Sequence, residues 1–236
     1  MHRKYKIFAF SVRETKEMLP VEIYQSLRNV PISSPALIAE IGRYTPNGKY
    51  KSPAAKLSAL EKGGDIIRLK RGLYVLDSAT LGYPISAPIC AQHIYGPSYL
   101  SMQWALSYYS LIPERAYVYT SVTTKRTRLF DTPRGRFSYH QVAPNYYSIG
   151  ITIQEIDNLK CLVASPEKAL ADAILMDIYV PYNSRKALAT YLEEDLRMDM
   201  DAVMRMDTSV LQSCSQCGRK QQTLNNLIHL IKHDRL

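Results

Sequence analysis

The sequence lacks the features that mark membrane-spanning and secreted proteins. No segment approaches the uninterrupted run of about 18 apolar residues that a membrane span requires. The N-terminus is basic like a signal peptide, but Arg13 and Glu14 interrupt its apolar stretch, and no small-residue cleavage site follows. The chain has only four cysteines, too unevenly spread for a secreted disulfide framework. We therefore expect a cytoplasmic protein with reduced thiols and no membrane partner.

The motifs of the common catalytic sites are also missing. The chain contains no Gly-rich phosphate loop, no His-Glu-x-x-His and no Gly-x-Ser-x-Gly. A metal-dependent nuclease is the enzymatic alternative, suggested by Asp157 and by the pair Glu167-Lys168. Such sites need an acidic residue and a lysine one residue apart on a strand, whereas adjacent residues at a helix start point apart. The helix dipole explains Glu167 better, so we predict a protein that is not an enzyme and needs no cofactor.

Positive charge is concentrated near the N-terminus. The 236 residues carry a formal net charge of +9, and residues 1–78 hold fourteen Lys/Arg against seven Asp/Glu. A second basic cluster lies between Lys125 and Arg136. Concentrated cations favour a polyphosphate partner, because each neutralised phosphate releases condensed counterions. A solubilising surface is the alternative that charge alone leaves open.

Residues 1–78 show the element order of a winged helix-turn-helix. A helical pattern over 15–30 ends before Pro31, a second helix opens at Ser34-Pro35, and a third opens at Ser52-Pro53 and closes at Gly63-Gly64. Two apolar runs, 66–69 and 73–76, flank a turn with Gly72 and predict a β-hairpin. Segment 77–84 is the predicted linker.

Residues 79–236 predict a mixed α+β domain with a helical tail. We expect helices at 100–109, from 167 to about 179, and from 184 onward with one break near 214–218; strands are expected at 116–122 and within 128–142. The predicted fold class is therefore α+β, with an N-terminal winged helix-turn-helix followed by this larger domain.

The helix at 53–62 is the predicted DNA-reading element. Leu57 and Leu60, with Ala54, define its buried side at 100° per residue. Small residues edged by lysine suit entry into the major groove, and helix N-termini and hairpin cations suit phosphate. The groove-facing residues are Ser52, Ala55, Lys56 and Ala59, and the phosphate-facing residues are Lys49, Lys51, Arg68, Lys70 and Arg71. The alternatives are a solvated helix beside an ordinary hairpin, or a winged helix that binds a protein.

A zinc site is the alternative function for four residues near the C-terminus. Cys214 and Cys217, followed by His229 and His233, have nearly the spacing of a zinc finger. A zinc finger needs apolar residues between the cysteines and the histidines, but Gln221, Gln222 and Asn225 occupy much of that stretch. The apolar residues within 224–231 instead form the stripe of an amphipathic helix. We favour the helix and predict no metal.

Several segments resemble the AbiEi family of antitoxins. The similarity begins with the hairpin and covers most of residues 50–180. It is carried by Leu69-Lys-Arg-Gly-Leu-Tyr-Val75, Tyr95-Gly-Pro-Ser-Tyr-Leu-Ser101, Ala105-Leu-Ser-Tyr-Tyr-Ser-Leu-Ile-Pro-Glu-Arg115, Ser121-Val-Thr-Thr-Lys-Arg-Thr127, Phe130-Asp-Thr-Pro-Arg-Gly-Arg-Phe137 and Ala164-Ser-Pro-Glu-Lys-Ala-Leu-Ala-Asp172.

The resemblance implies an antitoxin of a type IV toxin–antitoxin pair, a class often tied to phage defence. Members repress their own operon through the winged helix, commonly at inverted repeats in double-stranded operator DNA. They counteract a nucleotidyltransferase-like toxin, generally without a stable complex. The implied domains are 1–78, which binds DNA, and 79–236, which is associated with antitoxicity. A general regulator without antitoxin activity remains the alternative.

The second domain offers a candidate second nucleic-acid surface. Five cations flank its predicted strands and turn: Lys125, Arg126, Arg128, Arg134 and Arg136. Cross-strand charge pairs on a solvated sheet face explain each of them equally well.

Overall fold

The chain is a mixed α+β protein with two separate β-sheets. The computed structural model describes residue 23 and residues 30–44, 52–77, 86–180, 184–217 and 219–233. Among these residues, none of the helices combines the length and the apolar character that crossing a membrane requires.

The first part of the chain packs two helices against a small antiparallel sheet. Its elements are β1 (Ile32–Ser33), α1 (Ser34–Tyr44), α2 (Pro53–Gly63), β2 (Ile66–Lys70) and β3 (Leu73–Leu76), and the strand order is β1-β3-β2. The bounds of α1, α2, β2 and β3 agree with the sequence prediction to within two residues at each end. The short strand β1 was not predicted. The expected helix at 15–30 lies outside the described residues except for Ile23, and the expected linker lies outside them except for Asp77.

The second part is built around a larger mixed sheet. Its elements are α3 (Ala87–Ile94), β4 (Ser98–Leu100), α4 (Met102–Tyr108), β5 (Val118–Thr123), β6 (Arg128–Thr132), β7 (Gly135–Gln141), α5 (Pro144–Tyr147), β8 (Ile151–Ile156), β9 (Leu159–Ala164) and α6 (Pro166–Met176). The strand order is β6-β7-β5-β4-β9-β8. The pairs β5·β7 and β4·β9 are parallel, and the other neighbours are antiparallel.

The tail is helical but more interrupted than the sequence indicates. It consists of α7 (Arg185–Thr190), a π-helical turn (Tyr191–Asp195), α8 (Met200–Met204), α9 (Thr208–Cys217) and α10 (Gln221–His233). Breaks at 196–199 and 205–207 were not predicted, and the break predicted near 214–218 is misplaced, because α9 continues through Cys217. Helix α8 begins directly after Asp199. The Asp199 carboxylate caps the helix, because it accepts a hydrogen bond from the Ala202 amide at 3.1 Å.

Strand β3 is buried on both faces and belongs to two hydrophobic cores. Tyr74 and Leu76 pack in the smaller core, together with Ile23 and residues of α1 and α2. Leu73 and Val75 pack in the larger core of the six-stranded sheet. Because side chains alternate across a strand, one four-residue strand serves both cores. The hairpin is therefore held from both sides, and its position is fixed by the second part of the chain.

Replacing Gly150 by alanine is expected to destabilise the second part. Gly150 has a φ of +62°, and an added Cβ meets the Lys168 Cβ and Val210 Cγ1 atoms at 2.9 Å. The strained backbone costs about 1–3 kcal/mol, and overpacking adds about as much. Urea unfolding measures the loss. Gly42→Ala is the matched control, because nothing lies within 4 Å of that position in α1; it should stabilise the chain by about 0.5–1 kcal/mol.

Candidate nucleic-acid interface

Helix α2 is fixed at both ends by its own sequence. The Ser52 side chain accepts a hydrogen bond from the Ala55 amide at 3.2 Å, and Pro53 occupies the first turn. Gly64 ends the helix with a φ of +77°, a left-handed conformation that glycine adopts without strain. Leu57 and Leu60 are buried in the smaller core and set the rotation of the helix about its axis.

The surface of α2 away from these leucines consists mainly of small residues, with the exposed Glu61 and Lys62 in the last turn. Ser52, Ala55 and Ala59 are exposed, as predicted for a groove-facing side. Ala54 was expected on the buried side, and that expectation is wrong. The whole first turn, residues 52–55, is exposed, so Ala54 lies in solvent too. The exposed surface is consequently wider at the N-terminal end of the helix than the periodicity indicates.

The lysines around α2 have different environments. Lys62 is exposed in the last turn, whereas Lys56 is half-buried, and burial lowers the pKa of its ammonium group. Lys49 and Lys51 lie outside the described residues. Their predicted role at the N-terminus of α2 therefore remains a prediction.

The three cations of the hairpin do not share one environment either. Arg68 is exposed on β2, and Arg71 is exposed in the turn beside Gly72, whose φ is +81°. Lys70 is half-buried and donates a hydrogen bond from Nζ to the carbonyl oxygen of Ile94 in the second part. Two cations thus extend from the hairpin into solvent, and the third is directed toward the six-stranded sheet.

Two of the five cations on the second surface are already neutralised. Arg134 donates to the Asp77 carboxylate at 2.9 Å, and Arg136 donates to Asp131 on the adjacent strand at 2.6 Å. The Arg136 pair matches the cross-strand alternative, because Asp131 and Arg136 are register partners, whereas the Arg134 pair links the hairpin end to the sheet. The other three cations are exposed: Lys125 and Arg126 lie between β5 and β6, and Arg128 is the first residue of β6.

A buried ion pair, which the sequence analysis did not anticipate, lies on the first turns of α6. Lys168 and Asp172 are both completely buried, and Nζ lies 3.2 Å from Oδ1. The Lys168 ammonium also donates to the Tyr146 carbonyl oxygen at 3.1 Å. The other Asp172 oxygen accepts hydrogen bonds from the Tyr99 and Ser101 hydroxyls at 3.0 and 2.6 Å. The i,i+4 spacing was the available signal, but nothing in the sequence placed both residues in the core.

Two residues named in the nuclease alternative, Glu167 and Lys168, have different surroundings. The Lys168 amine contacts groups of its own core, and burial lowers its pKa although Asp172 opposes that shift. Glu167 accepts a hydrogen bond from the Asp207 amide at 3.3 Å and so connects α6 to the start of α9. Adjacent residues on this helix therefore point apart, as expected.

The four residues of the alternative zinc site have separate surroundings. Cys214 is buried in the larger core, where burial raises the pKa of its thiol to about 11, and Cys217 is half-buried. His229 and His233 are exposed on α10 with ring centroids 4.2 Å apart, and Nδ1 of His229 lies 2.7 Å from the Arg185 guanidinium. Across the described part of the chain, no three His, Cys, Asp or Glu residues form a group that could hold a metal ion.

Comparison with known proteins adds no family to this description: no protein-family model matches the chain, and no curated protein matches it.

Proposed function

We propose that the first part of the chain is a winged helix-turn-helix that binds double-stranded DNA. The observation that carries the proposal is the exposed small-residue face of α2, beside a hairpin that presents Arg68 on β2 and Arg71 in its turn to solvent. Alanine and serine permit close approach to base edges and can contact a thymine methyl group. In this arrangement α2 enters the major groove, and the hairpin cations meet the flanking backbone.

The charge distribution supports nucleic acid over a protein partner. Residues 1–78 hold fourteen Lys/Arg against seven Asp/Glu, which is +7 of the formal net charge of +9, and residues 52–77, with α2 and the hairpin, hold five Lys/Arg against three Asp/Glu. Each phosphate neutralised there releases counterions, which gives affinity that depends steeply on salt. The exposed residues of α2 are proline, alanine, serine and charged side chains, and this helix has none of the aromatic, methionine or arginine side chains that are enriched at protein–protein interfaces.

We further propose that the protein is an autoregulatory antitoxin rather than an enzyme. The resemblance of residues 50–180 to AbiEi antitoxins supports this class. Such a protein represses its own operon at inverted repeats, and its second part counteracts a nucleotidyltransferase-like toxin without forming a stable complex. A nucleotidyltransferase gene beside its own gene would support the pair. Rescue of growth when the chain is co-expressed with that neighbouring protein tests the antitoxin activity separately from DNA binding.

Replacing Ala59 by glutamate is expected to weaken operator binding at least ten-fold. The side chain is exposed, so the fold should tolerate the change, while the new carboxylate faces the phosphates of the groove. Binding is measured by fluorescence anisotropy on a duplex carrying the chain's own promoter. Gln212→Glu, an equal charge change at an exposed position of α9, is the control and should keep its affinity within two-fold. Unchanged binding by Ala59→Glu would contradict the placement of α2 in the groove.

A further inference from the structure

Two lysines from different parts of the chain converge on one short loop. Lys70 of the hairpin donates from Nζ to the carbonyl oxygen of Ile94, and Lys125, after β5, donates from Nζ to the carbonyl oxygen of Gly96. These two acceptors are two residues apart at the end of α3. The lysines are 55 positions apart in sequence, and the packing of the hairpin against the sheet brings them together.

An aromatic ring organises this group and adds a third cation. Tyr95 lies between the two acceptor residues; the Lys125 Nζ atom is 5.4 Å from its ring centroid, and the Arg128 Cζ atom is 5.7 Å from it. The ring also packs against Phe130 and Tyr139, at centroid distances of 5.7 and 5.3 Å. Tyr95 is thereby held rigidly enough to orient both cations. We call Lys70, Lys125 and Arg128 around this ring the Tyr95 cluster.

Among the residues that the structure describes, no carboxylate forms an ion pair with the cations of the Tyr95 cluster, Lys70, Lys125 and Arg128. Burial lowers the pKa of Lys70, and the positive charges of Lys125 and Arg128 lower it further. Arg134, in the turn between β6 and β7, and Arg136, on β7, each have a carboxylate partner instead. Like charges held together without a counter-charge favour an anion.

We propose that the Tyr95 cluster is a single phosphate-binding site, formed jointly by the hairpin and the sheet edge and occupied by a backbone phosphate of bound DNA. The choice of occupant rests on the proposed function, in which the hairpin already lies against the duplex. Arg128 presents planar paired donors that suit phosphate oxygens, and the two lysines add point charges. A free phosphate or nucleotide has the same chemistry and is the other source that the experiment must separate.

The site requires both parts of the chain, because neither supplies three cations alone. The hairpin contributes only Lys70 to it, and the sheet edge contributes Lys125 and Arg128. Since all three contact one phosphate, removing any two of them should remove about one phosphate contact. That loss corresponds to about 0.9 in the slope of log affinity against log salt.

The test compares purified full-length proteins on promoter and scrambled duplexes of equal length. Lys125→Met/Arg128→Met removes two charges while keeping long side chains over the ring. Lys160→Met/Arg197→Met is the matched control with the same net change, because these exposed cations lie outside the candidate surfaces, Lys160 opposite Glu155 on the adjacent strand and Arg197 at 2.9 Å from Glu114. Dissociation constants are measured between about 50 and 200 mM KCl, and inorganic pyrophosphate serves as the free-phosphate probe. Thermal melting confirms that both variants are folded.

We expect the cluster variant to bind both duplexes on the order of ten-fold more weakly. Its slope of log affinity against log salt should fall by about 0.9. In the control variant, the change in slope should be less than half as large. Adding Lys70→Met should not reduce the slope further. Equal slopes for the cluster variant and the wild type would overturn the proposal. It would also be overturned if the cluster variant lost pyrophosphate binding that the wild type shows, while both proteins bound DNA equally well. A reduced slope without preference for the promoter would leave this site standing and contradict the proposed function instead.

Discussion

Replacing Asp172 by asparagine is expected to lower the free energy of unfolding by about 3–5 kcal/mol at pH 7. The change removes the only carboxylate that the described ion pairs give to Lys168, and both residues are completely buried. The asparagine oxygen can still accept from Tyr99 and Ser101, which now donate to Asp172. The loss would therefore come from the uncompensated ammonium rather than from broken hydrogen bonds. Urea denaturation followed by circular dichroism measures it.

The double variant Lys168→Met/Asp172→Asn separates charge from packing. Without the ammonium there is no buried charge, so more than half of the lost stability should return. Recovery should be incomplete, because the Tyr146 carbonyl oxygen loses the donor that now lies 3.1 Å from it. A double variant no more stable than Asp172→Asn would show that the pair does not act through its charge.

The single variant should also gain stability as the pH rises. Burial already lowers the pKa of Lys168, and loss of Asp172 removes an interaction that raises it. The folded variant therefore releases its proton at a lower pH than the unfolded chain, whose lysine titrates near about 10.4. The unfolded state then binds more protons, so stability increases with pH up to that value. Unfolding at pH 7 and 9.5 tests this, and the double variant should show no such gain.

Replacing Leu73 by alanine is expected to cost about 2–5 kcal/mol, although the residue lies in a hairpin at the edge of the first part. Leu73 and Val75 are buried in the larger core, on the opposite face of β3 from Tyr74 and Leu76. The cavity would thus loosen the contact between the hairpin and the six-stranded sheet. Leu129→Ala on β6 is the control, since that side chain is 56% exposed and its loss should cost under about 0.5 kcal/mol.

The same packing predicts how fragments behave. A fragment of residues 1–78 exposes the apolar face formed by Leu69, Leu73 and Val75, which the rest of the chain covers. We expect this fragment to lack a cooperative thermal transition at the melting temperature of the full chain. A fragment that melts cooperatively at that same temperature, together with a negligible loss for Leu73→Ala, would contradict a hairpin held from both sides.

Local sequence signals predicted the elements whose ends are capped. Ser52 and Ser165 open helices by accepting from the amide three residues later, and Gly64 closes α2 in a left-handed conformation. These interactions connect neighbouring residues, so the sequence alone contains them. The hairpins β2–β3 and β6–β7 were predictable for the same reason, because their turns lie between two apolar runs.

Strand β1 and the hairpin β8–β9 were not predicted from such local signals. Strand β1 has two residues and exists only through its pairing with β3. The hairpin β8–β9 turns at Asp157 and Asn158, both with positive φ, which is a recognisable turn signal. Its alternation is obscured, however, because Ile153 on β8 is 66% exposed. Burial of an isoleucine at that position depends on what packs over the sheet.

The candidate site shows the same division. Exposure of Ser52, Ala55 and Ala59 follows from the helical period once the buried leucines are known. The environments of Lys70 and Arg134 depend on Ile94 and Asp77, which are 24 and 57 positions away. The sequence could list these cations, but only the packing separates the neutralised ones from those around Tyr95.

The central claim is sequence-preferring DNA binding by a basic surface, and a salt-dependent titration of the wild-type protein tests it most directly. The protein is titrated against its own promoter and a scrambled duplex at several KCl concentrations. We predict tighter binding to the promoter, with log affinity falling linearly and steeply with log salt. Equal, weak binding to both duplexes would contradict the claim and leave a basic surface without an operator.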